Sequence, residues 1–295
     1  MEINGSIILD TFAEAFTVWI SRVIITGERE WAYQAAVAAT GFATSRIGCP
    51  CEAGIERELK PAETPDGRGG VSILICGEKK LMKQHVAARI SQCVLPVPTV
   101  SAFDGLPDAK DRFFIRMHYF GDGYEKRCTV GGRKCWEIPT MQGRYVGEER
   151  FGTVKGIAGG NFLVMGKDQS SALSAAKAGA AAIEGMADVI TSFPGGVVAA
   201  GSKVASRNYR FPMPASTNHS FCPALKGKIP DSQVPAGVHS IYEIVINGID
   251  ETAVKSAMKA GILAATGTGK VSHIGASNFG GKLGPYRFYL HELIR

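Results

Sequence analysis

Strand-like and helix-like segments alternate along the first half of the chain. Residues 18–25 and 71–76 are dense in β-branched residues, which favour strands. Residues 28–40 are rich in alanine and stop at a glycine, which predicts a helix. Residues 78–94 place Leu81, His85 and Ala88 at helical spacing and stop before two prolines, which predicts a second helix.

Turn-forming residues dominate the end of this half. Residues 112–119 and 124–130 flank Gly121-Asp122-Gly123, which predicts a β-hairpin because short glycine turns join antiparallel strands. More turn residues cluster between residues 143 and 152. We expect the boundary between two lobes in this region.

The second half repeats the same order of elements. Residues 161–165, 240–246 and 286–290 predict strands, and the alanine-rich residues 169–187 and 251–265 predict helices. Each half therefore contains two strand–helix–strand passages, which is typical of a split βαβ sandwich. The sequence predicts an α/β (α+β) fold of two ferredoxin-like lobes related by duplication.

The predicted lobes span residues 1–146 and 147–295. A short repeat supports the duplication, since Ala-Ala-Thr-Gly occurs at residues 38–41 and again at 264–267. In both places an Ile-Gly pair follows several residues later.

The composition of the chain argues against several classes of protein. Hydrophobic residues make up 45% and charged residues 20%, a globular balance that excludes a disordered chain. No apolar run reaches the roughly 18 residues of a membrane span, so we expect no membrane association. The net charge of +6 is spread without a Lys/Arg block, which argues against nucleic-acid binding. The N-terminal residues lack the basic cap of a secretory signal, so a cytoplasmic protein is expected.

Several familiar chemistries lack their motifs. The chain has no P-loop, no dinucleotide-binding Gly-x-Gly-x-x-Gly after a strand and no Gly-x-Ser-x-Gly nucleophile elbow. Cys49-Pro50-Cys51 resembles half of a zinc site, but no second Cys or His pair matches it. The seven cysteines are expected to be free packing thiols, and no metal is expected.

Five glycine-rich polar segments remain. Glycine lets the backbone approach a ligand closely, but tight turns in a two-layer sandwich also need it, and composition leaves both interpretations open. The segments are residues 49–55, 63–70, 156–161, 193–203 and 275–284.

Motifs in these segments, in this order, closely resemble the formylmethanofuran:tetrahydromethanopterin formyltransferase family. The resemblance covers essentially the whole chain. The matching motifs include Glu63-Thr64-Pro65-Asp66-Gly67-Arg68, Phe120-Gly121-Asp122-Gly123-Tyr124-Glu125, Gly156-Ile157-Ala158-Gly159-Gly160-Asn161-Phe162, Phe193-Pro194-Gly195-Gly196, Gly201-Ser202-Lys203 and Tyr242-Glu243-Ile244-Val245-Ile246.

The resemblance implies a formyltransferase of archaeal-type one-carbon metabolism. Such enzymes move a formyl group from formylmethanofuran to tetrahydromethanopterin with no tightly bound cofactor, and both coenzymes act as co-substrates. It also implies two ferredoxin-like lobes and a homodimer or homotetramer. Transfer from amide to amine passes through a tetrahedral adduct, which needs proton transfer at both nitrogens and donors for the developing oxyanion.

Glu243 is the candidate for this proton transfer. Strand alternation places it on one face with Ile241 and Val245. A carboxyl on an apolar face costs free energy unless it is paired or functional, and a solvent-facing or ion-paired glutamate is the alternative. Because Tyr242-Glu243-Ile244-Val245 matches the family's motif, the resemblance implies that Glu243 is the catalytic acid.

Five further side chains are candidates for substrate binding. Ser202 and Lys203 end a glycine-rich segment and could hold a carboxylate or phosphate, although Lys203 could equally be a solvated charge. Asn161 and Asn278 could orient amides or merely cap turns. Arg68 could contact an anionic tail of a substrate or pair internally with Asp66.

The chain also departs from the family's pattern, at residues 141–144, 192, 216–219 and 275–279, and it is basic where family members tend to be acidic. A non-catalytic scaffolding paralogue within a one-carbon enzyme complex is therefore the alternative to an active enzyme.

Overall fold

The computed structural model describes all 295 residues as a mixed α/β chain with two compact units. Unit I consists of residues 18–156 and 185–190, and unit II consists of residues 1–17, 157–184 and 191–295. The units interleave along the chain, whereas the sequence predicts a single boundary between residues 146 and 147. The reason is that two long strands each contribute residues to both units.

The helices and strands have the following bounds. The strands are β1 (Glu2–Ile3), β2 (Ser6–Ile8), β3 (Phe12–Thr26), β4 (Glu52–Leu59), β5 (Gly70–Gly77), β6 (Ser101–Asp104), β7 (Asp111–Phe114), β8 (Lys126–Val130), β9 (Arg133–Thr140), β10 (Gly143–Glu148), β11 (Arg150–Gly166), β12 (Val189–Ile190), β13 (Lys203–Val204), β14 (Ala215–Ser216), β15 (Ser240–Gly248), β16 (His273–Gly275) and β17 (Tyr286–Tyr289). The helices are α1 (Arg29–Thr40), α2 (Lys79–Arg89), α3 (Gln169–Ile183), α4 (Glu251–Gly267) and α5 (Leu290–Ile294). None of these helices combines the length and apolar character that crossing a bilayer would require.

Unit I contains the predicted ferredoxin-like arrangement. Its elements run β3, α1, β4, β5, α2, β6 along the chain, and its antiparallel sheet has the order β6–β3–β5–β4. Helix α1 buries a row of alanines, and α2 buries Met82 and Val86, in one core with Val23, Ile73 and Ile75 of the sheet. Small alanines let α1 approach the sheet closely.

The predicted hairpin around Gly121-Asp122-Gly123 is wrong. Residues Met117–Gly121 form a 3₁₀ turn, and β7 pairs with β11 instead. The hairpin lies one segment later, where β8 pairs with β9 through Gly131 and Gly132, whose φ values are 54° and 76°. A two-residue hairpin turn with both central φ values positive matches the twist of its strands, and two consecutive glycines adopt it most easily.

The sequence does not predict strand β4, because its first residues belong to a glycine-rich segment. Its backbone pairs with β5 from Glu52↔Cys76 to Leu59↔Gly70, with a register shift between Ile55 and Arg57. Polar residues alternate irregularly around that shift, so the pattern of the sequence hides the strand.

Unit II repeats part of the same arrangement. The strand order β16–β11–β15 is antiparallel, and α3 and α4 connect its strands as α1 and α2 do in unit I. The two helices approach each other at Gly179 and Gly261, where a Cβ on Gly179 would lie 3.0 Å from the Gly261 carbonyl oxygen. Glycine at both positions therefore allows close packing of the helix pair on one face of the sheet.

We expect Gly261→Ala to destabilise the protein by about 2 kcal/mol, because overpacking a well-filled core has a cost of that order. The added Cβ would lie 2.7 Å from Phe162 Cζ and 2.9 Å from Ile183 Cδ1. Gly267→Ala in the same helix is the matched control, since its Cβ would meet nothing within 4 Å. Urea unfolding of both variants measures the difference, and equal stability of the two would contradict this packing.

Candidate active site

Glu243 lies on the face of the β15 strand that points away from the helices of unit II. The neighbouring residues Tyr242, Ile244 and Ile246 are buried, and Ile244 Cδ1 lies next to Gly179 of α3. Successive side chains of a strand point to opposite faces, so Glu243 lies on the other face, as the alternation predicts. Loops rather than helices cover that face.

The surroundings of Glu243 are apolar. Its direct cross-strand neighbour is Leu163, which packs in a cluster with Met165, Val234 and Val238, and Ile241 packs against the same cluster. The Glu243 carboxyl makes no hydrogen bond or ion pair, and burial raises its pKa to about 7 from the ordinary value of 4.5. A carboxyl with a pKa near neutrality can both accept and donate a proton under physiological conditions.

One glycine-rich segment predicted from the sequence runs directly beside Glu243. Val198 and Glu243 exchange two backbone hydrogen bonds, of 2.8 and 2.9 Å between N and O. The segment reaches this position through a 3₁₀ turn at Pro194–Gly196, where Gly196 has a φ of 71° and faces Ala180 of α3. The backbone of residues 193–203 thereby forms one border of the site.

Lys203 and Ser202 lie at the end of this segment. Lys203 belongs to the small β13–β14 ladder, and its ammonium donates to Ser216 Oγ at 2.6 Å and to the Thr217 carbonyl oxygen at 3.1 Å. Lys203 is therefore held in place rather than freely solvated. Ser202 is exposed immediately before it.

Asn161 lies on the same sheet face as Glu243, but its amide is occupied by the backbone. Its Oδ1 accepts from the Ser277 N–H at 2.7 Å, and its Nδ2 donates to the carbonyl oxygens of Ser277 and Gly159. Asn218 Nδ2 in turn donates to Ser277 Oγ at 3.1 Å. Asn161 thus holds the segment after β16 against the sheet, and its contact with substrate stays a prediction.

Asn278 has a similar internal role. Its Nδ2 donates to Thr11 Oγ1 and to the Phe12 carbonyl oxygen, and its Oδ1 accepts from the Gly280 N–H. The side chain caps the turn that follows it, which was one of the two predicted alternatives. Its contact with substrate also stays a prediction.

Arg68 belongs to unit I, whereas the other candidates belong to unit II. Its guanidinium donates to Asp66, so the predicted internal pair is confirmed. It also donates to the Thr99 carbonyl oxygen and to the Thr26 and Ser101 hydroxyls. Arg68 lines a cavity of about 340 Å³, but its donors already have protein partners.

Cys49 and Cys51 do not form part of a metal-binding cluster. No group of three or more His, Cys, Asp or Glu side chains lies close enough together to hold a metal ion, and all seven cysteines are free thiols. Burial raises the pKa of Cys51 to about 11, and the residue packs in the core of unit I.

Sequence reasoning missed three residues that hold the segment after β16 in place. Asn218 and Ser277 are 59 positions apart, and no local pattern could pair them. Glu14 had a visible signal, because it is a single carboxylate inside the apolar strand Phe12-Ala13-Glu14-Ala15-Phe16. Its partners, however, lie at the other end of the chain.

We expect Glu243→Gln to stabilise the protein above neutral pH. The pKa of Glu243 is about 7 in the folded protein, and its ordinary value of 4.5 applies to the unfolded chain. Between these two pH values the carboxyl keeps its proton only in the folded state. Its contribution to stability is therefore full below pH 4.5 and falls as the pH rises to 7. The neutral variant should exceed the wild type by at most about 3 kcal/mol at about pH 8, and match it near pH 4.

Urea unfolding at both pH values measures this difference. Glu58→Gln is the control, because the Glu58 carboxyl is exposed and pairs only with Arg29. A Glu243→Gln variant with no stability gain at the higher pH would show that the carboxyl is not desolvated.

Comparison with known proteins gives full-length matches. A family model described as formylmethanofuran-tetrahydromethanopterin formyltransferase matches residues 1–140, and a model of its proximal lobe matches residues 143–293. The formylmethanofuran–tetrahydromethanopterin formyltransferases of Methanosarcina acetivorans and Methanocaldococcus jannaschii are each 52% identical, over 100% of both chains.

Solved structures agree with these matches. The formyltransferase of Methanosarcina barkeri has a TM-score of 0.96 at 49% identity, covering 99% of this chain and 100% of its own. A chain of the formyltransferase/hydrolase complex of Methylorubrum extorquens, solved with methylofuran, has a TM-score of 0.94 at 38% identity, covering 100% of this chain and 99% of its own. The chain belongs to the formylmethanofuran–tetrahydromethanopterin formyltransferase family.

Proposed function

We propose that this chain transfers a formyl group from formylmethanofuran to tetrahydromethanopterin, directly from amine to amine through a tetrahedral intermediate. The observation that carries the proposal is the Glu243 carboxyl, which has no hydrogen-bond partner and a pKa raised to about 7. It lies where a glycine-rich segment borders the face of the sheet that the long helices do not cover.

Glu243 performs the proton transfers in this mechanism. As the amine of the pterin attacks the formyl carbon, a proton leaves the attacking nitrogen and another reaches the departing nitrogen of methanofuran. A carboxyl with a pKa near neutrality can take up the first proton and supply the second, which contributes about 10²–10⁴-fold to the rate. No covalent enzyme intermediate is needed, because holding both substrates together supplies on the order of 7–11 kcal/mol of the barrier.

Lys203 supplies a fixed positive charge in the same unit. Its ammonium is anchored by Ser216 and Thr217, so it can bind a substrate carboxylate or phosphate without a large loss of side-chain entropy. Ser202, exposed beside it, adds a hydroxyl donor. We assign Lys203 and Ser202 to substrate binding.

The resemblance supports a proposal for the assembly and location of the protein. We propose a cytoplasmic homodimer or homotetramer that uses both coenzymes as co-substrates without a tightly bound cofactor. A related chain occurs in a formyltransferase/hydrolase complex that binds methylofuran, which supports a furan-type amine as the formyl donor of this chain as well.

Mixing the pure protein with formylmethanofuran and tetrahydromethanopterin tests the activity. We expect formylated pterin with the wild type and with the surface control Glu58→Gln, and at least a 100-fold loss of kcat with Glu243→Gln. The scaffolding alternative predicts neither turnover nor binding of either coenzyme. Turnover by Glu243→Gln close to that of the wild type would remove Glu243 from the mechanism.

We expect Lys203→Ala to raise the KM of at least one co-substrate about 10-fold with little change in kcat, which corresponds to about 1.4 kcal/mol of binding. Lys255→Ala is the matched control, because Lys255 is an exposed cation that pairs with Glu251 on α4. Steady-state kinetics with each co-substrate varied in turn measures the change. An unaltered KM for both would leave Lys203 as a structural residue.

A further inference from the structure

The carboxylate of Glu14 is buried and is surrounded by backbone donors. Oε2 accepts from the N–H groups of Phe279 at 2.8 Å and Gly281 at 3.1 Å, and Oε1 accepts from Gly284 at 3.0 Å. A fourth bond comes from the Leu283 N–H. The residue is 2% exposed, so these four N–H groups replace the water that the charge has lost.

The local sequence makes this arrangement possible. Gly280 and Gly281 have φ values of 69° and 75°, and the Arg287 guanidinium donates to the Gly281 carbonyl oxygen at 3.2 Å. Burial opposes ionisation of Glu14, but the four backbone hydrogen bonds outweigh it, so the pKa is lowered. Successive backbone N–H groups aimed at one point form an anion-binding concavity, and here the anion is supplied by the protein itself.

The segment that Glu14 holds is connected to the candidate active site. Leu163 of β11 pairs with Glu243 of β15 on one side and with Gly275 of β16 on the other. The segment that follows Gly275 therefore begins at the same height along the sheet as Glu243. Ser277 at its start is bound by Asn161 and by Asn218. Asn218 directly follows Thr217, whose carbonyl oxygen accepts from Lys203.

We propose that Glu14 is a positioning residue for formyl transfer, and that its carboxylate fixes residues 277–284 as a wall of the substrate site beside Glu243. This inference rests on the proposed function. Glu14 touches no reacting atom and acts only through the segment. Removing the carboxylate should free four N–H groups to turn outwards or to take up an external anion.

Two variants separate this role from general stability. Glu14→Gln keeps the side-chain volume but places an amide NH₂ against two N–H donors, and Glu14→Ala leaves an empty concavity that formate can enter. We expect backbone hydrogen exchange at residues 277–284 to become about 100-fold faster in both variants, since several charge-assisted hydrogen bonds are lost. Saturating formate should restore protection in Glu14→Ala, whereas it cannot enter the filled site of Glu14→Gln.

Kinetics supplies the second readout. In Glu14→Ala we expect the fold-increase in the KM of a co-substrate to be at least about 10 times the fold-decrease in kcat. Formate should reverse both changes. Glu58→Gln serves as the control with unchanged exchange and kinetics, because its carboxyl is exposed. Chloride at equal ionic strength should not substitute for formate.

The outcomes distinguish this proposal from the proposed function. Loss of protection in residues 277–284 with an unchanged KM would overturn the positioning role, although the wild type would still be an active formyltransferase. Unchanged protection in both variants would overturn it as well. Absence of turnover in the wild type would overturn the proposed function, while the formate-dependent exchange would still report the anchoring of the segment by Glu14.

Discussion

A carboxyl group taken out of water must either find donors or become neutral, and unit II contains one example of each. Glu14 accepts four backbone N–H groups, which lower its pKa despite burial. Glu243 has no donor, and burial raises its pKa to about 7. The same physical constraint therefore yields a permanent structural anion and an acid–base group that can change its charge.

The sheet of unit II has a different covering on each of its faces. Helices α3 and α4 pack closely together at Gly179 and Gly261 on one face of the β16–β11–β15 sheet, and loops cover the other face. The side chains of Asn161, Asn218 and Lys203 help to fix those loops. The sheet carries Glu243 while polar side chains hold the segments around it, an arrangement that can place a group accurately.

The sequence predicts what depends on local periodicity and misses what depends on distant partners. Strand alternation places Glu243 on the correct face, and the alanine-rich runs correspond to α1, α3 and α4. The isolated pattern of Gly121-Asp122-Gly123 predicts a hairpin turn, but the turn lies at Gly131-Gly132, where both φ values are positive.

The polar candidates show the same limit, because Asn161 and Asn278 are bound to backbone groups more than 100 residues away in the chain. No pattern in the sequence indicates whether an amide faces a substrate or another loop. The resemblance to a known family supplied the function, which composition alone left open.

The free-energy cost of burying the Glu243 carboxyl favours an enzyme over a scaffolding protein. A carboxyl with a pKa raised to about 7 destabilises the folded chain at neutral pH, by an amount that a glutamine would relieve. A protein that serves only as a scaffold gains nothing from this cost, whereas an acid–base catalyst requires a group that titrates near the working pH. Destabilising groups that persist at a site are a recurrent cost of activity. The chain bears this cost at the position that faces the glycine-rich segment 193–203, and it provides Glu14 with four donors in the same unit. The absence of any donor for Glu243 is therefore a specific feature of its site.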